Sequence, residues 1–132
     1  NPDCHVILRG GKTPNFDAAN VESASQVLAK SGLEPRLMID ASHANSGKNP
    51  DNQPAVIDDI ATQLEAGETR IIGVMVESNL VAGQQSLVPG KPLVYGQSVT
   101  DGCIGWETSV AVLERLARAV KVRRATEAAK AA

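Results

Sequence analysis

Aromatic side chains are nearly absent: Phe16, Tyr95 and Trp106 are the only ones in 132 residues, which leaves no stacking platform for single-stranded nucleic acid or sugars. Cysteine is almost as scarce. Cys4 and Cys103 are too few for a disulfide framework. No apolar run is long enough to span a bilayer, and no stretch has the layout of a secretory signal, so a reducing cytoplasm is the expected setting. Charge of one sign does not accumulate either. A net charge of -2 at pH 7 and a pI near 5.7 leave no electrostatic footprint for nucleic acid or an anionic membrane, and neither is expected as a partner. The glycine fingerprints of nucleotide-binding folds are missing too, because Arg9-Gly10-Gly11-Lys12 fits neither G-x-G-x-x-G nor the P-loop pattern.

What is present is an ordinary globular composition, 42% hydrophobic and 21% charged, at a length suited to one domain. The chain opens Asn1-Pro2-Asp3 rather than with methionine, and it is expected to be a piece of something longer. Cys4 to Leu8 is a short apolar run ended by Arg9-Gly10-Gly11-Lys12-Thr13-Pro14, a buried strand followed by a loop. From Asp17 to Ser31 the residues Val21, Ala24, Val27 and Leu28 recur at helical spacing, with Gly32 as the stop. The pattern repeats with Leu37-Met38-Ile39, a polar loop from Asp40 to Lys48, and a helix from Asn52 to Ala66 carrying Val56, Ile57, Ile60, Ala61 and Leu64 on one face. It repeats again with Arg70 to Val76, apolar on both faces, as expected of a strand covered on both sides in a parallel sheet. A long segment from Ser78 to Gly102 follows, a length that implies a functional or disordered loop. The last helix is expected over Trp106 to Arg124, burying Val110, Leu113, Leu116, Ala117 and Val120, with residues 125–132 a frayed alanine-rich tail.

Strand then helix, three times, predicts an α/β fold of parallel strands with right-handed crossovers. Without a dinucleotide fingerprint, the better fit is the last three βα units of a (β/α)8 TIM barrel. A whole barrel takes about 250 residues, so this would be an incomplete one.

The candidate chemistry stands where these strands stop. Arg9, His43 and Glu77 follow three successive parallel strands and must share one face of the sheet, and Asp101 lies before the last helix. A histidine with two carboxylates suits a divalent ion such as manganese, iron, cobalt or zinc. Each residue also has a plainer reading. A single histidine after a strand is most often a hydrogen-bonded loop residue, and Asp101 near Thr100 suits a helix N-cap, which spacing alone favours. Glu77 carries more weight, because a carboxylate directly after an apolar strand needs a metal, an arginine or solvent at the rim. Arg9 and Lys12, with glycines between them, suit a phosphate or carboxylate or form a solvated basic loop. Cys4 and Cys103 read as buried small hydrophobes, and Arg118, Lys121, Arg123 and Arg124 as favourable charge at a helix C-terminus.

Taken together, Ile7-Leu8-Arg9-Gly10-Gly11-Lys12, Asp40-Ala41-Ser42-His43-Ala44-Asn45-Ser46-Gly47-Lys48, Gly73-Val74-Met75-Val76-Glu77-Ser78 and Thr100-Asp101-Gly102-Cys103-Ile104-Gly105-Trp106 resemble the C-terminal part of the type I 3-deoxy-D-arabino-heptulosonate 7-phosphate (DAHP) synthases. The resemblance covers nearly the whole chain. It implies a (β/α)8 barrel that condenses phosphoenolpyruvate with erythrose 4-phosphate and releases phosphate, the first step of the shikimate pathway to aromatic amino acids. It implies His43, Glu77 and Asp101 as ligands of one divalent metal ion, through which they are catalytic. It implies Arg9 on the phosphate of phosphoenolpyruvate with His43 beside it. The metal would act as a Lewis acid on the aldehyde; after C3 attacks it, water adds at C2 and phosphate leaves.

The chain departs from the family in extent. The fourth ligand, a cysteine of the N-terminal half, and the Lys-Pro-Arg-Thr loop are missing, and neither Cys4 nor Cys103 takes the cysteine's place. The 132 residues alone are therefore expected to bind substrates weakly and turn over little or nothing. Three strands leave two edges and an apolar inner face uncovered, so pairing with the missing half or with a second copy, as a homo-oligomer, is expected. Two other readings stay open: a non-catalytic module that binds a divalent ion or phosphate, and an unrelated barrel metalloenzyme such as an aldolase or hydrolase.

Overall fold

The computed structural model describes residues 4–131. Three parallel strands, β1 (Val6–Leu8), β2 (Leu37–Asp40) and β3 (Ile71–Met75), stand in the order β1-β2-β3. Helices α1 (Ala18–Lys30), α2 (Gln53–Glu65) and α3 (Trp106–Ala131) follow them in turn. The register pairs Val6 with Leu37 and Leu37 in turn with Ile71, and Leu8 with Ile39 and Ile39 with Val74, with one irregularity between Leu37 and Met38. Parallel pairing brings all three carboxyl ends to one edge, as the α/β pattern predicts.

The core lies on one face of this sheet. Leu8, Leu37, Ile39 and Ile71 pack with Val21 of α1, with Val56, Ile57, Ile60 and Leu64 of α2, and with Val112 and Ala119 of α3. Each fully buried branched side chain contributes roughly 1.5–3 kcal/mol relative to exposure. On the opposite face Ile7 and Ile72 remain exposed, Ile72 at 54%. The expectation that β3 is covered on both sides is thereby corrected: helices cover one face only among the described residues.

Helical periodicity locates α2 and its buried face well and the other two helices in part, since Val21 is buried and Ala24, Leu28, Leu116 and Val120 pack against the core. In α1, Val27 is exposed and the buried positions are Val21 and Ser25. In α3, Val110, Leu113 and Ala117 face outward with Trp106, Leu113 being 61% exposed, while Ser109, Val112 and Ala119 are buried. Two apolar stripes run along α3, and charge decides which one turns inward. Arg115 reaches across to Asp58 at 2.7 Å and to Glu65, both on α2, and Arg123 donates to the Glu68 carbonyl at 2.9 Å. The basic cluster therefore lies within α3 rather than at its end, since the helix continues through Ala125, Ala128 and Ala129, strong helix formers, to Ala131. The expected frayed tail is helical over these residues, and Ala132 lies outside the described residues.

The segment after β3 has structure of its own. Strands β4 (Val81–Gln84) and β5 (Gln97–Ser98) pair in parallel, and Gly83 exchanges backbone bonds with Cys103 at 2.8 and 3.2 Å.

Candidate metal and anion site

Asp40, the last residue of β2, is 1% exposed. A buried carboxylate is costly unless its oxygens are filled, and here they are. The Ser42 N–H and Oγ donate to Oδ1 at 2.8 and 2.5 Å, and His43 Nδ1 lies 2.7 Å from Oδ2. The chain reaches this arrangement by turning into the left-handed region at His43, φ 47°, an uncommon conformation for a residue with a Cβ. With Nδ1–H donated to Asp40, the bare Nε2 points at Glu77 Oε1, 3.6 Å away. That separation is too long for a hydrogen bond and leaves room for a shared ion.

Glu77 lies just beyond β3. Its N–H donates to Gln53 Oε1 at 2.9 Å, and its carbonyl accepts from Gln53 Nε2 and from the Ile104 N–H, both at 3.0 Å. Partial burial pushes the Glu77 carboxyl above its ordinary range; His43 and Arg9 pull it back, while Asp101 and Asp40 push it further. Asp101 comes from the turn before Cys103, with Gly102 to Gly105 separating it from the first residue of α3. It is not the N-cap that its spacing favours. His43, Glu77 and Asp101 each offer a ligand atom, and these atoms all lie within 4.8 Å of one another.

Arg9 flanks this cluster, its Nε 3.9 Å from Asp40 Oδ2 and most of its side chain in solvent. The loop that carries it is stitched to the His43 loop. Asn45 Nδ2 donates to the carbonyls of Leu8 and Asp40 at 3.0 and 2.8 Å, its Oδ1 accepts the Asn15 N–H at 2.8 Å, and Asn15 Oδ1 accepts the Gly10 N–H at 2.7 Å. The loops touch so closely that a Cβ at Gly10, φ 75°, would lie 2.8 Å from Ala44 Cβ. A cleft of about 380 Å³ results, lined by Arg9, His43, Glu77 and Asp101 together with Lys48.

Of the residues expected from sequence, Arg9, His43, Glu77 and Asp101 come together. Lys12 is exposed and does not line the cleft; Lys48 does. The cysteines are not the buried hydrophobes expected: Cys4 is exposed, and Cys103 is partly buried beside Asp101, its thiol pushed up chiefly by that burial. Sequence reasoning gave no role to Asp40, Asn45 or Gln53. Asp40 carried a usable signal, since a carboxylate directly after an apolar strand is the argument applied to Glu77. Gln53, one polar residue on an amphipathic helix, carried none.

Residues 1–114 match the DAHP synthetase I family. The chain is 56% identical over 124 residues to the Phe-sensitive phospho-2-dehydro-3-deoxyheptonate aldolase of Escherichia coli (strain K12), a match covering 94% of this chain and 35% of that protein. It is 51% identical over 125 residues to the phospho-2-dehydro-3-deoxyheptonate aldolase of Haemophilus influenzae, covering 94% and 34% respectively. The solved phospho-2-dehydro-3-deoxyheptonate aldolase of Francisella tularensis SCHU S4 superposes with a TM-score of 0.89 at 48% identity, over 93% of this chain and 36% of that one. The chain thus spans about a third of the length of the relatives it matches. A family match over most of the sequence and a superposition at high identity agree with the parallel α/β architecture: the chain belongs to the DAHP synthetase I family.

Proposed function

We propose that this chain is the C-terminal part of a DAHP synthase, the last three βα units of a (β/α)8 barrel. The whole enzyme would condense phosphoenolpyruvate with erythrose 4-phosphate in the cytoplasm, releasing phosphate at the entry to aromatic amino acid synthesis. The observation that carries this reading is the convergence of His43, Glu77 and Asp101 within 4.8 Å, from three separate segments, beside Arg9. One imidazole nitrogen and two carboxylates fit a divalent first-row ion. The fit is supported by the carboxylates themselves: Glu77 is partly buried with the Asp101 and Asp40 charges nearby, and that burial first, then those charges, hold its carboxyl above its ordinary range. Such an ion, when bound, supplies Lewis acidity to an aldehyde oxygen.

The chain's own residues supply the rest. The Arg9 guanidinium offers a planar fork to the phosphate of phosphoenolpyruvate, and Lys48 adds a second positive charge across the cleft. Asp40 holds His43 in one tautomer and one orientation, so Nε2 stays bare toward the cleft. Ser42 fills the other oxygen of Asp40 and so fixes the carboxylate that orients His43. Holding both reactants in one orientation lowers the barrier by entropy already spent on folding.

Two substrates bearing phosphates need more positive charge than Arg9 and Lys48 provide, so the chain alone binds them weakly and turns over little. The uncovered face at Ile7 and Ile72, and the outward stripe of Trp106 and Leu113, favour pairing with the missing part or with a second copy. The test is manganese binding and phosphate release by the 132-residue chain, with Glu77→Ala beside it. Binding lost in the variant, with phosphate release only when the upstream part of a family member is supplied, is the expected result. Equal manganese binding by both proteins overturns the site, and turnover by the chain alone overturns its incompleteness.

A further inference from the structure

Gln53 is 1% exposed at the first position of α2. A buried carboxamide must satisfy both its ends, and this one gives both to a single residue, accepting the Glu77 N–H and donating to the Glu77 carbonyl. That is the pairing a neighbouring strand would offer. Here a side chain supplies it two residues after β3 has ended at Met75. The same carbonyl also takes the Ile104 N–H, and Ile104 closes the turn that carries Asp101. The exit of β3 and the Asp101 turn therefore share one anchor point, and Gln53 holds it from the opposite side.

We propose that Gln53 is a positioning residue: it fixes the backbone of Glu77 and thereby the spacing of Glu77 from Asp101, tuning affinity for a divalent ion without touching it. The ion-affinity part rests on the metal site proposed above; the positioning part does not.

Two variants of the 132-residue chain separate the two parts. Gln53→Met keeps the volume and removes both bonds, while Gln53→Glu keeps the acceptor for the Glu77 N–H and loses the donor. In the metal-free chain, Gln53→Met is expected to speed amide exchange at Glu77 about tenfold while Ile57 and Ile60 of α2 keep their rates. Both variants are expected to move the Glu77 carbonyl carbon resonance, and Gln53→Glu to leave the Glu77 amide slow. In a manganese titration Gln53→Met is expected to bind roughly tenfold more weakly than the parent.

Unchanged exchange and unchanged carbonyl resonance in both variants overturn the positioning role. Altered exchange with unchanged manganese affinity overturns the tuning. A parent chain that binds no manganese removes the proposed metal site and the tuning with it, and the exchange rates still decide whether Gln53 positions Glu77. A variant that loses protection throughout α2, rather than at Glu77, shows a packing role and overturns the proposal.

Discussion

The loops after β2 and β3 put their side chains to opposite uses. After β2, Asp40, Ala41, Ser42, Asn45 and Ser46 are buried, and their polar atoms bond to one another and to the ends of two strands. After β3, Leu87, Val88, Leu93, Val94 and Tyr95 are exposed, Tyr95 at 88%, although Gln85 ties the segment together through both backbone groups of Val94 at 2.8 Å. One loop is finished from within. The other has a fixed course and an apolar surface with no cover among the described residues. The buried polar atoms of the first loop are thus paired within this chain, whereas the apolar surface of the second is not covered.

Removing a proposed metal ligand from either segment tests the contrast hardest. His43→Ala and Glu77→Ala are each expected to weaken manganese binding in a calorimetric titration by about 100-fold or more, beyond the usual effect of an outer partner. Tyr95→Ser is expected to leave it unchanged, and a comparable loss there would break the contrast. Next comes the support beneath the site: Asp40→Ala leaves the Ser42 N–H without its acceptor and His43 Nδ1 with only Ser42 Oγ, 2.8 Å away, and is expected to cost roughly 2 kcal/mol in urea unfolding.

Smaller effects follow from titration, and the two carboxylates concerned have opposite signs. Glu68, held below its ordinary range chiefly by Arg70, contributes stability that is present above that range and lost as pH falls through the depressed value. Arg70→Met should therefore flatten the acid limb of the Tm profile. Glu77 is shifted upward, so in the metal-free chain its contribution is present below the ordinary carboxylate range and lost as pH rises through the raised value. Glu77→Gln should raise Tm at pH 7 and give no gain in acid, a reversal that a calorimetric pH series would detect. Smallest of all, Leu87→Ser and Tyr95→Ser are each expected to stay within about 0.5 kcal/mol of the parent, because neither side chain is packed.

Sequence gives the strand and helix order, the burial of α2 and the four cleft residues, because a parallel sheet forces residues that follow its strands onto one edge. It gives the face of α3 only in part, placing Leu116 and Val120 against the core but Val110 and Leu113 wrongly inward, where hydropathy offers two stripes and Arg115 reaching Asp58 and Glu65 selects between them. It treats Ser78 to Gly102 as a loop, because the β4 and β5 pairing joins residues far apart in sequence and carries no period. It offers Lys12 as an anion ligand, since adjacency to Arg9 in the chain does not reveal that Lys12 is exposed away from the cleft lining while Lys48 belongs to it. Gln53 is invisible for a related reason: its partner Glu77 lies 24 residues on, and nothing local marks the pair.

The contact between the Arg9 and His43 loops also sets what can be inherited here. At Gly10 any side chain meets Ala44 Cβ at 2.8 Å and the Asn45 backbone nitrogen at 2.9 Å, whereas at Gly11 there is nothing within 4 Å. Trimming Ala44 to glycine would relieve the first clash and not the second, so no compensating change at that neighbour opens the position. In a library of all single substitutions, two adjacent glycines should part completely, Gly11 accepting many replacements and Gly10 none.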